Sequence, residues 1–126
     1  MTEDQLSSHI ISAAIEVHRT LGGPGLLESV YEEALVWELR ERGFEVERQK
    51  QLPIIYKETL LADPLRLDVV VENQVIVECK AVVTYHSIYE AQALTYLRIT
   101  NLKLALVINF GEKLLKNGIH RVVNNL

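Results

Sequence analysis

A single cysteine, Cys79, leaves this 126-residue chain no partner for an intramolecular disulfide and too few sulfurs for a Cys-rich zinc site. Any metal it carries is therefore expected to be held by oxygen. His9, His18, His86 and His120 share no metal-ligand spacing, and only His86, at the start of a helical pattern, falls where a cleft could form. No apolar run reaches the roughly 18 to 20 residues needed to cross a bilayer, and the N-terminus lacks the basic-then-apolar order of a signal peptide. The chain reads as cytoplasmic, with no membrane partner. Repeats and low-complexity tracts are absent, which removes solenoids and disordered chains. A formal charge of −4 argues against indiscriminate polyanion binding, which depends on Lys and Arg displacing counterions from phosphates. Arg98, Lys103, Lys113, Lys116 and Arg121 stand against Glu112 alone in the last segment. That segment reads as ordinary charge scatter on a solvated surface, with a basic flank as the alternative.

The hydrophobic content of 48% and charged content of 24% are those of a globular domain. The expectation is one domain spanning residues 1–126. Thr2 and Gln5 form a capping-box pattern ahead of Leu6, Ile10, Ala13, Val17 and Leu21, and Gly22-Gly23 ends that helix. Leu27, Val30, Tyr31, Ala34, Leu35 and Leu39 mark a second helix closed by Gly43. The period then changes to two from Phe44 to Glu47, and Leu52 to Tyr56 reads as another strand, with turns at Lys57 to Thr59 and at Asp63-Pro64. Leu65 to Val71 and Val75 to Val82 form a hairpin around Glu72-Asn73-Gln74. His86 to Ile99 is helical again, Leu104 to Ile108 resembles a strand buried on both faces, and Ile119 to Val123 suits an edge strand. Since a crossover helix joins parallel strands, Leu104 to Ile108 should pair parallel to a hairpin strand. The fold class is α/β, with a mixed sheet flanked by helices.

The chemistry lies on the hairpin. Glu78 and Lys80 are two residues apart on a strand and share a face, while Cys79 points the other way. Charges amid Val75-Ile76-Val77 and Ala81-Val82-Val83 are strongly disfavoured unless paired or metal-bound. Asp68 interrupts the preceding strand in the same way. Register decides whether the carboxylates meet: a two-residue turn would put Asp68 and Glu78 on opposite faces, whereas a three-residue connection sets Val71 against Val75 and Asp68 across from Glu78. The odd register is expected.

Asp68, nine intervening residues and then Glu78-Cys79-Lys80 resemble the catalytic hairpin of the PD-(D/E)XK nuclease superfamily. Gly25-Leu26-Leu27-Glu28-Ser29-Val30-Tyr31 resembles the motif of its GxxExxY branch. Further matching stretches are Leu52 to Lys57, Ala91 to Leu97, Asn109-Phe110-Gly111 and Gly118 to Val123; the one departure is Leu67, not proline, before Asp68. The resemblance implies a restriction-endonuclease-like αβββαβ core. In it Asp68, Glu78 and the backbone carbonyl of Cys79 would hold a divalent metal, magnesium by the hardness of the ligands, and Lys80 would position or activate water. It also implies that Glu28 sits near the metal and that Gln92 orients substrate or Lys80. The implied partner is DNA or RNA, and superfamily members often work as homodimers or within larger assemblies.

Each residue has a plainer alternative. Glu78 with Lys80 could be a structural ion pair, Glu28 an acid suited to the first turn of a helix, and Tyr31 a core aromatic with a satisfied hydroxyl. Gln92 and Tyr96 share helical spacing and are equally ambiguous. Cys79 reads as a small buried hydrophobe, and Trp37 and Tyr56 as core aromatics without a role. A metal-dependent nuclease is the leading reading; a non-catalytic nucleic-acid- or protein-binding module that keeps the fold is the alternative.

Overall fold

The computed structural model describes residues 1–126. Two helices come first, α1 (Glu3–Thr20) and α2 (Glu28–Glu41), followed by strand β1 (Val46–Leu52). A small hairpin of β2 (Ile55–Tyr56) and β3 (Thr59–Leu60) precedes the central pair, β4 (Leu65–Val71) and β5 (Val75–Lys80). Helix α3 (Ile88–Thr100) then crosses to β6 (Leu104–Asn109), and a 3-10 turn (Leu115–Gly118) leads into β7 (Ile119–Val123). The main sheet runs β1-β4-β5-β6-β7, antiparallel except for the parallel β5–β6 pair that α3 connects. This is the expected α/β architecture with a mixed sheet. No helix is long and apolar enough to cross a membrane.

The layers follow from side-chain alternation. Val69, Val71, Val75, Val77 and Cys79 pack with Leu6, Ile10, Tyr31 and Leu35 beneath α1 and α2. Val70 and Ile76 pack on the opposite face with Ala93 and Leu97 of α3. β6 is buried at every position, because helices cover both of its faces. α1 begins with the capping box, Thr2 Oγ1 accepting from Gln5 N–H while Gln5 Oε1 accepts from Thr2 N–H.

The hairpin takes the odd register, with Val71↔Val75, Val70↔Ile76 and Val69↔Val77 as partners. Glu72 and Asn73 both adopt left-handed backbone (φ 53°), and the Glu72 carboxylate braces the turn by accepting from Glu45 N–H at 2.7 Å.

Several boundaries differ from the sequence expectation. Leu52 to Tyr56 is not one strand: Leu52 closes β1, while Ile55–Tyr56 pairs with Thr59–Leu60 around Lys57-Glu58, both at positive φ. β5 stops at Lys80, not Val82, because the buried Asn109 side chain takes over the backbone of Val82, accepting from its N–H and donating to its C=O, each at 3.0 Å. α3 starts at Ile88, not His86. Trp37 and Tyr56, expected in the core, are exposed, since α2 and the β2–β3 hairpin turn those positions away from the sheet.

Candidate active site

The β4–β5 ladder opens where the ionisable residues begin. Continuing the register past Val69↔Val77 sets Asp68 opposite Glu78. The next β5 donor, Cys79 N–H, goes to the Asp68 side chain, reaching Oδ2 at 3.0 Å. The N–H and C=O of one strand residue share an edge, so the Cys79 carbonyl faces the same opening. Its thiol lies on the far side, fully buried against α1 and α2, and burial raises its pKa well above the ordinary thiol range.

Asp68 also breaks the alternation of β4. Leu67 packs with Val70 on the α3 side, while Val69 and Val71 face α1 and α2, so the strand changes phase at Asp68. Its neighbour across β1 is distorted as well. The β1–β4 pairing lapses only between Arg48↔Val69 and Lys50↔Leu67, where Gln49 adopts a left-handed φ of 52°.

Glu78 is 6% exposed, and its Oε1 is the one buried side-chain oxygen or nitrogen without a hydrogen-bond partner. Burial first, and then the neighbouring Asp68 carboxylate, push its pKa up to about 9. Lys80 only partly opposes this. Two carboxyl groups forced together with one oxygen orphaned form an arrangement that needs either a proton or a cation.

Lys80 is half-buried and forms no ion pair; its Nζ lies 4.7 Å from the centroid of the Tyr89 ring on α3, a cation–π contact. The sequence alternative, a Glu78–Lys80 ion pair, is thus not formed. Asn109 and Gly111 hold the chain that leaves Lys80. Asn109 Oδ1 also accepts from Gly111 N–H at 3.0 Å, and a Cβ on Gly111 would meet Val82 O at 2.3 Å.

Glu28 opens α2 beside Asp68, in an open pocket of about 360 Å³ that also includes Ser29, Glu32 and Gln49. Burial raises its pKa first; Lys80 lowers it, Asp68 and Glu32 raise it, and the Ala81 backbone N–H lowers it. The loop before Glu28 is held from within the helix. Tyr31, fully buried and stacked on Phe110 with ring centroids 4.8 Å apart, donates its hydroxyl hydrogen to Gly23 O at 2.6 Å and accepts from Leu26 N–H at 3.2 Å. With Gly25 at φ 115°, a conformation suited to glycine, this explains the spacing of Gly25, Glu28 and Tyr31: a turn, an acid and a clamp.

Gln92 does not join this group. It is exposed on α3, and no hydrogen bond links it to Asp68, Glu78 or Lys80. Tyr96, one turn further along, is half-buried and feels both acids: burial raises its pKa first, and the charges of Glu78 and Asp68 add to the shift. His86 turns its Nδ1 to the Ile88 N–H. Two residues that the sequence reading missed, Glu32 and Gln49, line the pocket with Asp68 and Glu28.

No three His, Cys, Asp or Glu side chains converge into a ready-made cage. The donors that meet here are two carboxylates and a backbone carbonyl, hard oxygens suited to a divalent cation of the magnesium or calcium type; magnesium itself commonly takes only one or two protein carboxylates. The orphaned Glu78 Oε1 fits such an ion.

A family model described as the PD-(D/E)XK nuclease superfamily matches residues 4–122. No curated protein and no solved structure shows significant similarity to the chain. Nucleases of this superfamily generally use divalent metals and act on nucleic acid. With nearly its whole length matched, and with the sheet and helices that such a fold requires, the chain belongs to the PD-(D/E)XK nuclease superfamily.

Proposed function

We propose that the chain is a divalent-metal-dependent nuclease of the GxxExxY type, hydrolysing phosphodiester bonds in DNA or RNA. The observation that carries this reading is the Glu78 carboxyl, buried against Asp68 with Oε1 unpartnered. A buried acid left orphaned beside a half-buried one that a backbone N–H satisfies makes poor sense as scaffold, because leaving such a group unpaired costs roughly 1–3 kcal/mol or more.

Asp68 and Glu78, with the Cys79 carbonyl, would hold the cation, and magnesium is the ion we assign to it. Such an ion supplies charge stabilisation to the phosphate as the in-line attack proceeds. Lys80 carries three donors and no carboxylate partner, so it can orient the attacking water or neutralise a phosphoryl oxygen. The Tyr89 ring holds its ammonium head in place. Glu28, whose pKa is raised, is more basic than an ordinary carboxylate and serves as general base or holds the water.

The test is cleavage of single- and double-stranded DNA and RNA with and without magnesium. Wild-type cleavage that requires the ion and is lost in Glu78→Ala and Lys80→Ala supports the reading. Binding without cleavage would make the chain a recognition module that keeps the fold. Neither binding nor cleavage would leave the trio a structural feature.

A further inference from the structure

We propose that Gln49 supplies a neutral oxygen to the cation site, its amide anchored by Glu32 and Arg48 so that the oxygen end is presented beside Asp68. This rests on the nuclease reading above.

The anchor is a buried charge with no other evident use. Glu32 lies on α2 one turn after Glu28 and is 4% exposed. Its carboxylate accepts from Arg48 Nε at 2.7 Å and from Gln49 Nε2 at 2.8 Å (Oε1) and 2.9 Å (Oε2). Arg48 neutralises it and also reaches Ser29 O at 3.4 Å. A carboxylate can only accept, so it selects the NH₂ end of the Gln49 amide and leaves the oxygen end turned away.

The backbone is bent to allow this. A glutamine at φ 52° in the middle of a strand is held there against a cost of about 1–3 kcal/mol. The distortion falls at the one position where β1 and β4 fail to pair, directly opposite Asp68, and Gln49 lines the same pocket as Asp68 and Glu28. With only two carboxylates and no third acidic, His or Cys ligand converging, the site gains from a neutral oxygen. The Gln49 amide oxygen is placed to give it.

Calorimetric titration of the full chain with magnesium chloride and with manganese chloride, alongside metal-free melting, tests this in wild type, Gln49→Gly, Glu32→Gln and Asp68→Asn. Gln49→Gly should bind either cation about tenfold more weakly, the range seen when residues supporting a metal site are removed. Its metal-free melting temperature should change little, since the strain that glycine relieves at φ 52° offsets the hydrogen bonds that Glu32 loses. Glu32→Gln, which no longer dictates which end of the amide faces it, should weaken binding by about threefold. Affinity within about twofold of wild type in Gln49→Gly, with Asp68→Asn unable to bind, would overturn the role of Gln49 and leave the nuclease reading standing. A wild-type chain that binds neither cation would overturn both.

Discussion

Replacing Glu78 with glutamine should stabilise the metal-free chain, by an amount that grows with pH. The unfolded chain loses the Glu78 proton near the ordinary value of 4.5, whereas burial and the adjacent Asp68 keep it on the folded protein to about 9. Between those values the folded state holds the extra proton, so stability is greatest below pH 4.5 and is lost as pH rises toward 9. The slope is at most about 1.4 kcal/mol per pH unit. With pH 7 about 2.5 units above the ordinary value, the carboxyl costs about 3 kcal/mol there. Glutamine has no proton to lose, and its NH₂ can donate to Asp68, so the substitution removes most of this cost. Urea unfolding followed by circular dichroism in EDTA should show a gain under about 1 kcal/mol at pH 5 and about 3 kcal/mol at pH 7. Saturating magnesium should reverse the order, because only the wild type keeps both carboxylates for the ion. A gain that does not change with pH, or a loss at pH 7, would show that Glu78 is stably charged in the fold and would refute the argument.

Tyr31→Phe should destabilise the chain by about 1 kcal/mol, measured by urea unfolding, because the part-buried bonds to the Gly23 carbonyl and from the Leu26 N–H are lost together. It should also lower cleavage by freeing the loop that places Glu28. Gly111→Ala should lower the melting temperature sharply, since the new Cβ would meet Val82 O at 2.3 Å and the chain leaving Lys80 must shift. Glu58→Gly should raise stability by about 0.5–1 kcal/mol without altering cation affinity, because Glu58 holds a φ of 68° in an exposed turn and does not line the pocket of Asp68 and Glu28.

The helices and the central hairpin were legible in the sequence because period, caps and glycines all point the same way. Thr2 with Gln5, the Gly22-Gly23 stop and the β-branched runs on either side of Glu72 to Gln74 are local signals with local outcomes. The register followed from requiring Asp68 and Glu78 to meet. Of the β2–β3 hairpin the turn at Lys57 was read, but the return strand Thr59–Leu60 was not, because two residues are too few to show a period. Gln49 and Glu32 were missed for a related reason. Nothing local foretells a positive φ at a glutamine, and Glu32 is buried only because Arg48 and Gln49 arrive from another element. Helical spacing alone could not choose between Gln92 and Tyr96; packing half-buries the tyrosine within reach of the acids' charge and leaves the glutamine in solvent.

The three-residue connection between β4 and β5 bears on the order in which the chain folds. That hairpin closes a short loop, whereas the parallel β5–β6 pair must wait for the whole crossover through α3, so the hairpin belongs to the early part of the reaction. At that stage Asp68 and Glu78 are neighbours in water, where two charges about 4 Å apart repel by only about 1 kcal/mol. Their repulsion becomes severe when α3 and β6 dock and water is expelled from around Glu78. The pH dependence of the two rates locates this docking: if it follows the rate-limiting step, raising the pH should speed unfolding at a nearly constant folding rate, and if it is that step, folding should slow instead. A hairpin that closes first lets Asp68 and Glu78 meet while water still screens them, and Glu78 is buried only as it takes up its proton.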